Sequence, residues 1–359
     1  MAKAQTKAAS VVPFDCSGRD YEPVPGDFVV KEYGSDRELD TNFASQSFWK
    51  EVRKKFFHNK GAVVGLVFLC ILTFFAIFGP FMTPYSYSEQ SAAHNLAPRI
   101  QGIENMGIFD GSETMTTTTG SKKYNGYAEG KLYDTFYWFG TDKYGRDIWT
   151  RTWTGARVSL IIAVAATLID MVIGMSYGLI SGYFGGKTDM IMQRFVEVAN
   201  GIPRLVIVTL LLLILKPGMI TIIFALMLTE WIGMSRIARA EMLKLKEQEF
   251  VYASKTLDAG SFFIIFKDIL PNIIGPIITQ VMFSIPTAIF TEAFLSFVGL
   301  GIPVPQCSLG SLISEGYNSF TTHPYQIIPP IIVMALLMLS FNLIADGLRE
   351  ALDPKIKEG

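Results

Sequence analysis

The chain has 359 residues, of which 50% are hydrophobic and 18% charged, and its formal net charge is −1. A soluble domain carries about a quarter of charged residues, so this balance counts against a soluble enzyme and excludes a disordered scaffold. A near-zero net charge argues against a basic face for nucleic acid. Cys16, Cys70 and Cys307, like His58, His94 and His323, are scattered and show no C-x-x-C spacing, which argues against a disulfide framework or a metal cluster.

Residues 1–45 are polar, mixed in charge and rich in Gly, Pro and Asp, and read as a loosely ordered tail. The segment QSFWKEVRKKFFHNK (46–60) reads as amphipathic, with Trp49, Phe56 and Phe57 at headgroup level and the lysines toward anionic lipid. Residues 61–83 carry no charge. As a helix they cover about 34 Å, enough to cross a bilayer. The long polar tail before them and the lack of a small-x-small site after them point to a span, not a cleavable signal.

The middle of 84–157, including Thr116–Thr119 and Gly120, has no apolar period and reads as an exposed loop. The end of that segment, YWFGTDKYGRDIWTRTWTGAR, is expected on the membrane surface, with Trp138, Trp149 and Trp153 in the aromatic belt. Five more apolar stretches follow, at about 158–184, 195–215, 219–235, 273–300 and 327–345. The 219–235 stretch is the shortest and is expected to borrow residues from its flanks. Together with 61–83 they predict an all-α polytopic membrane protein of six spans. Its domains read as a tail with an amphipathic end (1–60), a first span (61–83), an extracytoplasmic loop (84–157) and a core of five spans (158–359).

Lys and Arg set the orientation. They cluster before the first span (Lys50, Arg53, Lys54, Lys55, Lys60), between the fourth and fifth (Arg236, Arg239, Lys244, Lys246, Lys255, Lys267) and after the sixth (Arg349, Lys355, Lys357). The 301–326 loop has none. The positive-inside rule puts both termini in the cytoplasm, and a loop as long as 84–157 largely escapes that rule.

The cytoplasmic segment 236–272 reads as a continuation of the fourth helix through Lys246. A short helix follows at about 250–257, then a break at Asp258-Ala259-Gly260 and an amphipathic stretch ending at Pro271. The small residues Ala253, Ser254, Ala259 and Gly260 would let another protein approach the backbone closely; an ordinary helix-turn-helix cap on the bundle is the alternative. Gly185-Gly186-Lys187-Thr188 is no phosphate loop, because Ser181 stands where the first Gly of G-x-x-x-x-G-K-[ST] belongs. It reads as a turn between the second and third spans. Ionisable residues inside spans are candidates for function, and Asp170, Glu197, Arg204, Glu230 and Glu292 qualify. Of these, Glu292 and Glu230 are the pathway candidates, with Pro286 shaping the fifth helix beside them.

The run EFVYASKTLDAGSFFIIFKDILPN (249–272) resembles the "EAA" loop of binding-protein-dependent ABC transporter permeases: E-A-A, three residues, Gly, nine residues, Ile-x-Leu-Pro. Tyr252 stands at the Glu position, Ala253 and Ser254 at the two Ala positions, and Asp258 at the Gly. Ile269 precedes Leu270-Pro271 by one residue instead of two. Because Asp tolerates left-handed backbone better than most residues, the turn can survive. WFGTDKYGRDIWTRTWTGARVSL (138–160), SGYFGGKTDMIMQR (181–194), LKLKEQEFV (243–251), FTEAFLSFVGLGIPVP (290–305) and DGLREALDPK (346–355) are similar, in order, to segments of the oligopeptide and dipeptide branch, in particular its OppC/DppC-type permease.

The resemblance implies a type I ABC importer permease in a bacterial cell membrane. It implies a second, similar permease, two cytoplasmic ATPase subunits and an extracellular peptide-binding protein as partners, along with membrane lipid and no nucleic acid. This chain would be no enzyme and would bind no cofactor; ATP is used by the partner ATPases. Ala253, Ser254, Leu257, Asp258, Ala259 and Gly260 would contact the ATPase. The competing readings are a permease for nickel or another small solute, a secondary transporter driven by an ion gradient, and a peptide sensor that moves nothing.

Overall fold

The structure, a computed structural model, describes residues 48–352 apart from 107–108 and 118–119. The tail expected at 1–45 lies outside the described residues. Among the described residues five helices are long and apolar enough to cross a membrane: Lys60–Phe81, Ile148–Phe184, Met219–Leu245, Ser261–Leu300 and Pro324–Leu352. A bent pair of helices, Gly186–Gly201 and Arg204–Ile214, which meet at 79°, is long and apolar enough to make a sixth crossing if the two form one span. The expectation of one unbroken helix over 195–215 is thus corrected. The reason is local: Pro203 has no N–H to give the ladder, and a proline pushes its predecessor out of helical backbone. Ile202 is extended, with ψ 124°.

The second span begins at Ile148, ten residues earlier than its apolar run, because Asp147 caps it by accepting from the Thr150 N–H at 3.0 Å. This early start overturns the aromatic-belt expectation for two tryptophans. Trp149 and Trp153 are buried inside the protein. Trp149 donates its indole N–H to the Gly79 carbonyl at 2.9 Å, and Trp153 stacks on Phe75 with ring centroids 4.9 Å apart. Trp138 packs edge-on against Trp149 at 4.7 Å.

Glycines bring the second and fourth spans together. A Cβ on Gly174, Gly178 or Gly182 would lie 2.5 Å from the Trp231 carbonyl, 2.2 Å from the Ser235 carbonyl or 2.8 Å from the Met242 side chain. The three are four residues apart, so they form one stripe along which the two backbones touch. The first and sixth spans meet in the same way, with Gly65 against Leu343 and Gly347 against Ala62.

The amphipathic segment before the first span is a helix, Phe48–His58. Val52 and Phe56 are buried, packing with Ala62, Ile344 and Ala351, while Trp49 and Phe57 are exposed. Phe56 therefore faces the bundle, not headgroups. Asn59 caps the first span by accepting from the Ala62 N–H and donates to the Glu350 carboxylate.

The loop expected in the middle of 84–157 contains an antiparallel hairpin, β1 (Ser112–Thr117) paired with β2 (Gly120–Asn125). Its register runs from Ser112 opposite Asn125 to Thr117 opposite Gly120. Beside it, Arg99 organises the chain: its Nε meets Glu104, its Nη1 reaches the Tyr133 carbonyl at 2.8 Å, and its guanidinium lies 4.6 Å from the Phe136 ring centroid.

The fourth span continues to Leu245 and a short helix follows at Glu249–Thr256, as expected. Pro271, however, does not end the next helix, which runs unbroken from Ser261 into the fifth span. Just before Pro271 the helix widens to a π turn over Ile264–Ile269, in which the Leu270 N–H reaches back five residues to the Ile265 carbonyl. The wider turn makes room for the proline ring.

Candidate functional site

The short helix Glu249–Thr256 and the turn after it join, through Val251 and Ala259, a core that includes Leu179, Leu245 and Ile265. Val251 is 0% exposed and anchors the helix among Leu179, Met242 and Ile265. The helix ends in a Schellman cap: the Ala259 N–H donates to the Ser254 carbonyl at 3.1 Å and the Asp258 N–H to the Lys255 carbonyl at 3.1 Å. Asp258 supplies the left-handed residue the cap needs, at φ 58°. Ala253, Leu257, Asp258 and Gly260 are exposed, and Ser254 and Ala259 are half-buried. Leu257, at the tip, is 83% exposed. Tyr252 is exposed too, with the Lys255 ammonium 5.3 Å from its ring centroid. The six residues named from the sequence form one continuous, mostly exposed turn whose single charge is Asp258, next to a helix anchored by Val251.

Below the turn, Arg239 of the fourth span holds Asp189 with two hydrogen bonds of 2.6 Å, and Ser181 donates to the same carboxylate. Lys246 donates to the Gly182 carbonyl at 3.2 Å. These contacts tie the ends of the second, third and fourth spans together. Gly185 and Gly186, at φ 62° and 53°, form the turn between the second and third spans.

The ionisable residues inside the spans fall into separate groups. Glu292 is 0% exposed; Ser159 and Ser296 each donate to its carboxylate at 2.8 Å, and Ser308 adjoins through Ser296 at 3.3 Å. The Leu309 N–H donates to Ser159, so the site joins the second span, the fifth span and the helix Leu309–Asn318. Pro286 is buried inside the fifth helix. Glu230 pairs with Arg204 at the break in the third span. Asp170 lies within electrostatic reach of that pair, buried, with its Oδ1 unpartnered. Glu197 does not join Arg204 but pairs with Arg194 on its own helix.

A charged network on the opposite end of the molecule was not singled out from the sequence. Arg146 reaches Asp142 at 2.6 Å and Glu315 at 2.8 Å, and Arg151 reaches the same two acids at 2.8 and 3.1 Å. Burial pushes the Glu315 carboxyl up, against the pull of Arg146. Burial likewise pushes the Cys307 thiol up to about 12, which keeps it protonated. The signal available in the sequence was the spacing of Asp142, Arg146 and Arg151 within an otherwise aromatic run; nothing local could pair them with Glu315.

Cavities lie against these elements. One of about 1140 Å³ opens between Ile237 and Lys244 of the fourth span, Pro276 and Gln280 of the fifth, and Arg349 of the sixth. Another, of about 160 Å³, lies where the third span breaks, lined by Arg204, Val208, Thr229, Phe290 and Phe294 among others. No group of three or more metal-ligating side chains occurs among the described residues.

Residues 174–358 match the family described as binding-protein-dependent transport system inner membrane component. Residues 47–98 match the N-terminal TM domain of oligopeptide transport permease C. The chain is 40% identical over 314 residues to the oligopeptide transport system permease protein OppC of Bacillus subtilis (strain 168), covering 88% of this chain and 92% of the relative. It is 39% identical over 340 residues to the dipeptide transport system permease protein DppC of the same organism, covering 94% and 95%. Identity to the OppC protein of Escherichia coli (strain K12) is 33% over 311 residues, covering 86% and 92%. A solved inward-facing structure of the MetNI methionine ABC transporter superposes with a TM-score of 0.47 at 16% identity, covering 55% of this chain and 94% of that one.

Proposed function

The chain belongs to the family of binding-protein-dependent transport system inner membrane components, and on that premise we propose that it is the membrane-spanning subunit of an ATP-driven importer of oligopeptides or dipeptides. The observation that carries the substrate is the near full-length match to relatives named as oligopeptide and dipeptide permeases. Membership of this family sets aside the secondary-transporter reading. No observation favours nickel or another small solute.

In this reading a second permease completes the pathway, two ATPases dock on the cytoplasmic end, and a binding protein delivers peptide on the other. The chain itself catalyses nothing, and ATP is consumed by its partners. The distribution of Lys and Arg supports a cytoplasmic location for both termini and for the turn at 250–260. Glu230, Glu292 and Pro286 remain our proposal for the groups that shape the pathway.

The shape of the coupling turn supports the role of Ala253, Ser254, Leu257, Asp258, Ala259 and Gly260 as the ATPase contact. Burying a tip leucine in a partner's cleft contributes about 2 kcal/mol, and the small residues around it permit close approach. Val251 ties the turn to the fourth and fifth helices, so closure of the ATPases would move those helices as a unit. That supplies the mechanical link between two global states that a pump requires.

The test is to replace Ala253 or Gly260 by Arg in the assembled transporter. Copurification of the ATPases and ATP-dependent peptide uptake are both expected to fall sharply. Unchanged assembly and unchanged uptake in both variants would sink the docking assignment.

A further inference from the structure

The break in the third span, the cavity beside it and the charge at its edge converge on one chemistry. The cavity measures about 160 Å³, and an apolar cavity of roughly 150 Å³ holds one benzene ring. Its walls come from three crossings: Leu205 and Val208 of the third, Leu226 and Thr229 of the fourth, Phe290 and Phe294 of the fifth. Arg204 is the one ionisable residue in that lining.

Arg204 is also the first residue of the 11-residue half-helix Arg204–Ile214, which no side chain caps. A guanidinium and the positive end of a helix dipole therefore share one spot at the break between the two helices, an arrangement that favours an anionic group. The guanidinium gives one nitrogen to Glu230, and its other donors have no partner among the described residues. Its side chain is 53% exposed, whereas Glu230 and Asp170 do not line the cavity. The hydroxyls of Thr229 and Thr291 donate to their own helices, at 3.2 Å to the Ala225 carbonyl and 2.8 Å to the Thr287 carbonyl. Their oxygens stay available as acceptors.

From this we infer a substrate subsite for the C-terminal residue of the imported peptide: its side chain enters the cavity against Phe290 and Phe294, and its carboxylate is held by Arg204. The inference rests on the peptide-import reading above. A cavity this small takes one residue and leaves the rest of the peptide outside, so the subsite reads the end of a peptide and tolerates different lengths.

The test uses the complete transporter, with second permease, ATPases and binding protein, in proteoliposomes. Probes are di-, tri- and pentapeptides ending in Phe or Ala, each as free acid and as C-terminal amide, supplied at saturation of the binding protein so that its own preference drops out. Because Arg204→Gln alone leaves Glu230 without its partner inside the membrane, the informative variant is Arg204→Gln with Glu230→Gln. It should lower the acid-to-amide uptake ratio about tenfold, as expected for losing a charged hydrogen bond. Arg204→Lys should keep most of the ratio. Phe290→Trp, which fills the cavity, should lower the Phe-to-Ala ratio about tenfold while the acid-to-amide ratio stays.

Variants that still transport with both ratios unchanged would overturn the subsite and leave peptide import standing. Loss of the second permease on copurification of the Phe290→Trp complex would overturn it too, by identifying the cavity as a contact between permeases. If the native transporter takes up no peptide of the series, the functional reading itself fails and the subsite with it.

Discussion

Asp258 shows what one residue can and cannot reveal in a sequence. At the position where the family resemblance expects Gly, an Asp predicts a left-handed turn kept at some cost, and φ 58° with a complete Schellman cap is what the structure has. Glycine adopts that backbone freely, whereas a β-branched residue meets the full steric penalty. Asp258→Gly is therefore expected to stabilise the turn by about 0.5–1 kcal/mol, and Asp258→Val to destabilise it by about 1–2 kcal/mol. Hydrogen exchange of the amides at 249–260 in the detergent-purified protein checks both signs. A slower-exchanging Val variant would refute the account. Glu292 was legible in a different sense. Its charge inside an apolar stretch marks it at once, but its direction was not readable. A helix that is apolar on every side carries no periodicity from which to take its phase, so the hydroxyls of Ser159 and Ser296 could not be matched to it in advance.

At the scale of elements, what the sequence predicted well was whatever depends on length and mean polarity. The apolar runs located the crossings because a bilayer demands about 20 apolar residues in a row. What escaped depends on geometry. The third span breaks at Ile202-Pro203; Asn200, Gly201 and Pro203 mark a weak point in that run, but nothing local tells the 79° angle it takes. The β1–β2 hairpin is largely polar in sequence, so it lacks the apolar alternation by which strands are recognised. At Pro271 the expected stop was absorbed by a π turn. The stripe Gly174, Gly178, Gly182 lies between these cases: its spacing of four is visible in the sequence, but its partner helix is not. The prediction at this scale is for Gly178, where any side chain would meet the Ser235 carbonyl at 2.2 Å. Gly178→Leu should force the second and fourth spans apart and cost about 3 kcal/mol, at the upper end for overpacking. Gly186→Leu serves as control for space, since nothing lies within 4 Å of a Cβ there, although its φ of 53° adds strain. A thermal melt of the purified chain should show a clearly larger loss for Gly178→Leu than for the control.

Over the whole molecule, the second span is the strut that all other sites share. Its 37 residues extend about 55 Å, passing from the charge network at Arg151 through Ser159 beside Glu292, then Asp170 near the broken span, to the glycine stripe and Tyr183, whose ring lies 5.7 Å from the Lys255 ammonium. The segment 84–147 is fastened both to this strut and to residues 315–326. Arg151 and Arg146 bind Asp142 and Glu315, Gln326 donates to Asn95 at 3.0 Å, Tyr325 donates to the Thr141 carbonyl at 3.3 Å, and His323 meets Glu113 at 3.0 Å. Glu315 is the fastening that crosses from the helix Leu309–Asn318 to both arginines. Removing it leaves two nearly buried guanidinium groups with Asp142 alone. Breaking a fully buried pair costs about 3–5 kcal/mol, but the Glu315 side chain is 26% exposed and solvent screens part of the loss. Glu315→Ala should therefore cost about 2 kcal/mol. The size alone would not separate a local fastening from a general one, so its location matters. The glycine stripe and the Ile-rich core around Val251 do not involve Glu315. Hydrogen exchange should accordingly rise in 138–152 and 309–326 and stay unchanged in 249–260. Faster exchange at the coupling turn in Glu315→Ala would instead mean that the two ends of the strut open as one cooperative unit, and that a disturbance where the binding protein is proposed to dock is felt directly where ATP is proposed to act.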